Sequence, residues 1–504
     1  MRDHVISMIL VTLTTSIAAI YFESLRHWFV LPVMFCGFLT GADAVGWVRG
    51  KLDTFDPRGI IGIFGTHFFF LSPIIFIAVN LRPVYGQVPR DWPFWIGLMG
   101  SINAVSLLFY KGFEFVGQSG VSKIKRTWVP VRGRTEAILA AGIAAAIFAQ
   151  LLVFYKFRGF GGIAEAQFGG DATVFTGIGI PRILGNAAPL LCFFGIILFY
   201  RERVRRNKSL FFTLAVVTVL SVVQFAISGL YSSRGPVVTA MVWILILTHY
   251  FWRPIGVKTI AALFIPLFLL NWVYTFYKDL GPEVVEYLQR GATLSDLEKK
   301  TGRSFAGVLI GDLSRVDVQA YMLYRLYTHP DAYKLKMGAT YLADITPIIP
   351  YWVWPAKPAN SGKVLAGTEL LWGKNFYKAH ISYRRSNRAY GLAGEMMLNF
   401  GPYGVPVVYS LWGFIVGRVR RLQRNLDPKD LRWLIMPYIV WLLPNMLAWD
   451  FDNYLAHTLI RAAIPIAVVY LMSGKLLNVG KSSTNLDKPR TSAIGLYPSS
   501  PTSY

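Results

Sequence analysis

The sequence predicts an all-α polytopic integral membrane protein of about twelve transmembrane helices, with one long extracytoplasmic helical segment between helices nine and ten. Three observations predict it. Of 504 residues, 54% are apolar or aromatic and 15% are charged, whereas soluble domains carry about 25% charged residues. The mean hydropathy is +0.44. The apolar residues fall in runs close to the roughly 20 residues that cross a hydrocarbon core. A disordered chain is excluded and a soluble multidomain enzyme disfavoured. The net charge of +24 sits between apolar runs that no duplex-binding surface needs, so no nucleic-acid partner is expected.

In chain order the candidate spans lie near 5–21, 28–42, 60–79, 94–110, 135–155, 183–200, 210–230, 236–250, 259–276, 404–417, 433–447 and 459–477. The first is read as a retained helix rather than a cleaved leader, because regular alternation follows it. Lys and Arg counts orient the bundle. The connections 43–59, 111–134, 201–209, 251–258 and 418–432 carry 22, and the short connections of the other set carry 7. By the positive-inside rule both termini face the cytoplasm, with Arg201–Arg206 and Arg418–Arg421 lying against anionic headgroups. Residues 1–276 then hold spans one to nine and 404–477 hold spans ten to twelve. Residues 277–403 form the long periplasmic segment, which translocates regardless of its charges. Within it, Ser295-Asp-Leu-Glu298 fits a capping box and 303–328 reads as one helix. Residues 478–504, rich in Ser, Pro and Thr, read as a disordered cytoplasmic tail. Cys36 and Cys192 lie in separate apolar runs and offer neither a disulfide framework nor a metal site.

Chemistry is sought on the side of the long segment. On a continuous helix Arg315 faces Asp312 and Gln319, and Arg325 lies on its flank, so the two arginines could hold an anion between them. A surface ion pair of Asp312 with Arg315 is the plainer alternative. Guanidinium groups bind diphosphates in fork geometry at any working pH. Arg234, in the tight turn Ser232-Ser233-Arg234-Gly235-Pro236, either snorkels to headgroups or points at a bound anion. The stretch Ile349-Pro350-Tyr-Trp-Val-Trp-Pro355-Ala-Lys357-Pro358 cannot be an ordinary helix and suits an interfacial or sugar-stacking surface through Trp354. Glu395 and Asn399, in Gly391-Leu-Ala-Gly394-Glu395-Met-Met-Leu-Asn399-Phe400-Gly401, share a helical face at the mouth of a span. Asp450-Phe-Asp452 has the spacing of a cation-holding carboxylate pair, but capping or polar contacts are preferred and no metal is assigned. His67, inside the third span, is read as a hydrogen-bonded bundle residue.

Three of these segments, taken in order, resemble the bacterial oligosaccharide repeat-unit polymerases of the Wzy or O-antigen polymerase type. The matching residues are Ser233-Arg234-Gly235, then Ile349-Pro350…Trp354-Pro355-Ala356-Lys357-Pro358, then Gly394-Glu395…Asn399-Phe400-Gly401…Gly404. Tyr351 stands where an arginine often follows Ile-Pro, which leaves that role to Arg384, Arg385 or Arg388. The resemblance implies a cofactor-free, metal-independent glycosyltransferase in the bacterial inner membrane. It would join undecaprenyl-diphosphate-linked oligosaccharides into a surface polysaccharide at the periplasmic face. Its partners would be those substrates and membrane lipids, with a chain-length regulator left open.

In that chemistry the donor brings its own leaving group. Fixed cations stabilise the departing diphosphate, with Arg234, Arg315 and Arg325 as candidates. A base takes the proton of the acceptor hydroxyl, Glu395 first and His380 second. Arg384, Arg385, Arg388, Lys357, Trp354 and Asn399 are the remaining substrate-binding candidates. A lipid-linked-glycan ligase shares the architecture and is the main rival. A flippase is disfavoured because no repeated halves are visible. A transferase using single-phosphate lipid sugars is disfavoured by the short Phe22-Glu-Ser-Leu-Arg-His27 connection with its single acid.

Overall fold

The fold is a helical bundle, seen in a computed structural model that describes residues 1–81, 89–120, 126–168, 177–206, 210–228, 235–281, 283–302, 305, 307–346, 349, 353–355, 362–373, 389–427 and 429–477. Eight described helices are long and apolar enough to cross a membrane. They are α1 (Arg2–Tyr21), α2 (Val30–Val48), α3 (Pro57–Ala78), α4 (Trp92–Gln118), α5 (Arg134–Phe157), the helix pair over Gly179–Tyr200, α10 (Gly235–Trp252) and α20 (Phe451–Met472). Between α5 and α10 lie α6 (Phe160–Phe168), α7 (Gly179–Asn186), α8 (Ala188–Arg206) and α9 (Leu210–Ser228). The expected spans at 210–230, 259–276, 404–417 and 433–447 also fall on helices: α9, α11 (Val257–Leu280), α18 (Val405–Asn425) and α19 (Met436–Asn445). Among the described residues these four do not reach spanning length and composition. In α18 four arginines crowd the last two turns, and α19 is a 10-residue piece with Pro444 inside it.

Packing follows small residues. Ser7, Val11 and Thr15 form the buried stripe of α1, and the Ser7 hydroxyl donates to the Phe38 carbonyl at 3.2 Å. The rest of α1 presents Ile9, Leu13 and Ile17 outward, as a helix with lipid on one side does. α4 and α18 run parallel in closest contact. A Cβ on Gly413 would lie 2.2 Å from the Tyr110 carbonyl oxygen, and one on Gly417 would lie 2.3 Å from that of Glu114. This Gly-xxx-Gly spacing lets two backbones meet where no side chain fits.

Charged side chains gather at the end where these helices finish. Arg420 of α18 grips both oxygens of Asp56 at 2.6 and 2.9 Å and Glu114 at 2.8 Å. Arg58 bonds Asp43 at 2.7 Å, and Lys111 meets the other oxygen of Asp43. Asp56 also caps α3 by accepting from the Arg58 N–H. Asp3 pairs with Arg49 and Lys51 at the same end. An antiparallel two-stranded ribbon, β1 (Arg126–Pro130) with β2 (Ser473–Leu477), lies there as well, and the Trp128 N–H donates to Asp430. The ribbon is a departure from an all-helical reading. It ends α20 at Met472, short of the expected 477. The basic connections 43–59, 111–134 and 418–432 thus share one end with the first and last described elements, as the charge count required.

The region after α11 is helical, in pieces. α12 (Glu283–Gln289) and α13 (Leu294–Thr301) come first. The capping box of α13 is Thr293 with Asp296, two residues before the expected Ser295 pair, because Thr293 is the residue held extended. The expected helix over 303–328 is broken. A π-helical turn at Gly307–Asp312 is followed by α14 (Val316–Thr328), with Arg315 outside helical geometry at φ −134, ψ 13 as its cap. Then come α15 (Ala339–Ile345), α16 (Gly362–Trp372) and α17 (Gly391–Phe400). α14 is buried on every side from Val316 to Leu323. It shares a core with Phe68–Phe70 of α3 and with Leu370, Met397 and Tyr409.

Candidate functional site

At the end of the bundle opposite the Arg420 network, α17 starts against the turn that follows α19. Gly391 has φ +73, and a Cβ there would lie 2.2 Å from the Leu447 carbonyl oxygen, so only glycine lets the two backbones touch. Across that contact the Tyr390 and Gly391 N–H groups both donate to Asp450 Oδ1 at 2.7 Å. Asp450 therefore caps a helix 59 residues away in sequence and answers the positive end of its dipole. Its other oxygen lies 2.6 Å from Lys363 Nζ of α16, which also holds Asp452 at 2.7 Å.

One turn into α17, Glu395 completes the cluster. Its Oε2 accepts from the Phe451 N–H at 2.6 Å, and its Oε1 accepts from the Thr340 hydroxyl at 3.3 Å. Asp344, on α15 with Thr340, faces Glu395, and its buried Oδ2 receives no hydrogen bond from the described residues. Asn399 holds this geometry. Its amide donates to Thr340 Oγ1 at 2.6 Å and to the Glu395 carbonyl at 2.9 Å, and its Oδ1 accepts from the Gly338 N–H at 3.0 Å. Asn399 is thus a positioning residue for the α15–α17 pair.

Four carboxylates, Asp344, Glu395, Asp450 and Asp452, share one lysine. Burial, with Asp452 adding to it, pushes Asp344 up to about 7. Burial and then Asp450 push Glu395 well up. Burial raises Asp450 too, although Lys363 and the backbone donors pull against it. Lys363 is held above the usual lysine range: burial opposes its charge, and Asp450 and Asp452 overcome that. Burial and the neighbouring acids therefore favour a proton on the Glu395–Asp344 pair. Such a pair can accept or release one proton in place. Asp452 keeps a third of its side chain open to the surface, and Glu395 is 2% exposed.

The sequence candidates lie in different places. Glu395 and Asn399 lie in the cluster. Arg315 and Arg325 sit at opposite ends of α14, about 15 Å apart along its axis. Arg315 Nε donates to the Ala448 carbonyl at 3.1 Å and braces the turn that carries Asp450. Arg325 Nε donates to the Leu370 carbonyl at 3.0 Å. With the helix broken at Arg315, the two do not converge on one anion. Trp354 is exposed. Arg234, Lys357, His380, Arg384, Arg385 and Arg388 lie outside the described residues. His67 contacts the Leu309 carbonyl and Ser72 within the bundle.

Asp450 and Asp452 gain their acidic neighbours only through folding, and Lys363 stands where a cation between them would sit. Among the described residues no group of three or more Asp, Glu, His or Cys is arranged to hold a metal. Sequence reasoning missed Lys363, Asp344 and Thr340, which belong to no motif. It also passed over Arg461, although a lone cation inside an apolar run is a signal in itself. Comparison of the chain with known protein families, curated proteins and solved structures returns no match.

Proposed function

We propose that the chain is a polymerase joining undecaprenyl-diphosphate-linked oligosaccharide repeat units at the periplasmic face of a bacterial inner membrane. The observation that carries the reading is the cluster itself. The Glu395 and Asn399 of the Gly-Glu-x-x-x-Asn motif meet Asp344, Lys363 and Asp450 at one end of the bundle. The electrostatics of that cluster suit proton removal from a sugar hydroxyl.

In this reading the acceptor hydroxyl approaches past Asp452, the partly exposed acid of the cluster, toward Asp344. The proton passes to the Glu395–Asp344 pair. The acceptor oxygen attacks the anomeric carbon of the donor glycan as its bond to the lipid diphosphate breaks. Arg234 is the cation proposed to stabilise the leaving diphosphate. Arg315 acts through the turn at Ala448 instead of on substrate.

The test supplies purified lipid-diphosphate repeat units to the full chain in detergent. Ladders of increasing glycan length are expected. Consumption only when a lipid-core acceptor is added makes the protein a ligase, and transport without consumption makes it a flippase. Arg234→Ala is expected to abolish the ladder with folded protein retained in the membrane. Wild-type chain lengths in that variant remove Arg234 from the mechanism.

A further inference from the structure

Arg461 lies ten residues into α20, about 15 Å along the axis from its start. Among the described residues it has no acidic partner. Nη1 donates to the Thr239 hydroxyl at 2.7 Å, Nη2 lies 3.4 Å from His457 Nε2, and the guanidinium faces the Trp449 ring at 5.9 Å. Its Nε is fully buried and makes no hydrogen bond. An unpaired guanidinium inside a spanning helix is costly.

The surroundings add positive charge. A Cβ on Gly235 would lie 2.2 Å from Arg461 Nη2, so the guanidinium is seated against the first residue of α10. Pro236 has no N–H, so Gly235, Val237 and Val238 supply the opening donors at the positive end of the helix dipole. Two positive elements thus lie side by side, with no carboxylate between them among the described residues. Beside them is a small, partly open cavity of about 20 Å³, lined by Asn186, Gln224, Pro236, Thr239, Trp243 and Arg461. The buried Oδ1 of Asn186 makes no hydrogen bond to protein. On the neighbouring α9, Gln224 is buried while Val219, Val222 and Val223 face outward, so the cavity borders a lipid-facing surface.

We infer that Arg461, Thr239 and the start of α10 form a binding site for a phosphoryl anion, the phosphate or diphosphate group of a membrane lipid. A guanidinium beside a helix start matches that ligand in charge. A Cβ at Gly235 would push the guanidinium aside. The site is separate from the carboxylate cluster and goes beyond the polymerase reading without needing it. If that reading also holds, α20 starts beside the proton-handling Glu395–Asp344 pair and carries the phosphoryl seat below it.

The experiment measures binding of radiolabelled undecaprenyl diphosphate to the full chain in phosphatidylcholine nanodiscs, with phosphatidylglycerol and inorganic pyrophosphate as competitors. Arg461→Gln is expected to weaken binding at least about tenfold, since it removes charge-assisted hydrogen bonds. Gly235→Ala keeps the arginine in the chain but shifts its guanidinium, and is expected to weaken binding in the same direction. It carries the test if Arg461→Gln does not fold. Displacement by phosphatidylglycerol identifies an ordinary phospholipid as the occupant, and displacement by pyrophosphate identifies the free group as sufficient; either keeps the site. Wild-type affinity in both variants, or no binding by the native chain, overturns the inference. Binding that depends on Arg461 in a protein that builds no glycan ladder leaves this site standing and removes the polymerase reading.

Discussion

Asp344→Asn isolates the electrostatics of the carboxylate cluster. Asparagine keeps the size of the side chain and a donor for Glu395, and it removes one negative charge. Two carboxylates a hydrogen bond apart, with charge centres about 4 Å apart, repel by about 4 kcal/mol at an effective dielectric of 20. That corresponds to about 3 pH units as an upper bound at 1.36 kcal/mol per unit. Lys363, Asp450 and Asp452 also face Glu395, and water reaches Asp452, so a shift of at least about 1 unit is expected. Its direction is fixed. Losing the neighbouring charge favours ionised Glu395, and the rising limb of the polymerisation rate moves to lower pH.

A second readout needs no activity. The folded protein holds a proton on Asp344 up to about pH 7, and the ordinary aspartate value is 3.8. Between those values the folded state binds more protons than the unfolded one. Native stability therefore falls as pH rises from about 4 to about 7, and levels off above that. The Asp344→Asn variant lacks this loss, and its melting temperature in detergent should be flatter across the window. A pH-rate limb that stays in place, together with an equally steep melting profile, refutes the shared-proton account.

Lys363→Met leaves Asp450 and Asp452 without their cation and is expected to cost about 3–5 kcal/mol, read as a fall in melting temperature. Adding Asp450→Asn should recover part of it, and no recovery would place the loss in packing. Gly413→Val drives a side chain into the Tyr110 carbonyl, 2.2 Å from the ideal Cβ position. It should cost at least about 1–3 kcal/mol in thermal unfolding, whereas the same change at Gly112, with nothing within 4 Å, should not.

What the sequence made legible follows from the range of the interactions concerned. Span positions depend on local composition, and the side of each connection depends on its lysines and arginines. The meeting of 43–59, 111–134 and 418–432 at one end was therefore readable. Breaks inside helices were not. Residues 303–328 carry helical composition, and the only local mark of a break is Ser314, whose Oγ accepts from the Val316 N–H across Arg315. The Arg315 side chain is held by the Ala448 carbonyl, 133 residues away. The box at Ser295 was displaced for a smaller reason, since two overlapping Ser/Thr-x-x-acid patterns compete and backbone context chooses Thr293. Glu395 and Asn399 were found because they belong to one motif on one helix face. Asp344 and Lys363 were missed because only tertiary contact gives them a role.

The same contrast separates the two ends of the bundle. Arg420 answers Asp56 and Glu114, Arg58 and Lys111 answer Asp43, and the charges there nearly cancel. Such a network is costly to break and has little reason to bind anything. At the other end four acids face one lysine, and a few residues along α20 Arg461 faces no acid among the described residues. Folding alone would favour moving these charges together, because excess acid and unpaired guanidinium each raise the free energy of a low-dielectric interior. In the proposed reading their separation gives one site for a proton and another for an anion. A reaction that deprotonates a hydroxyl while expelling a phosphorylated lipid needs that division of charge.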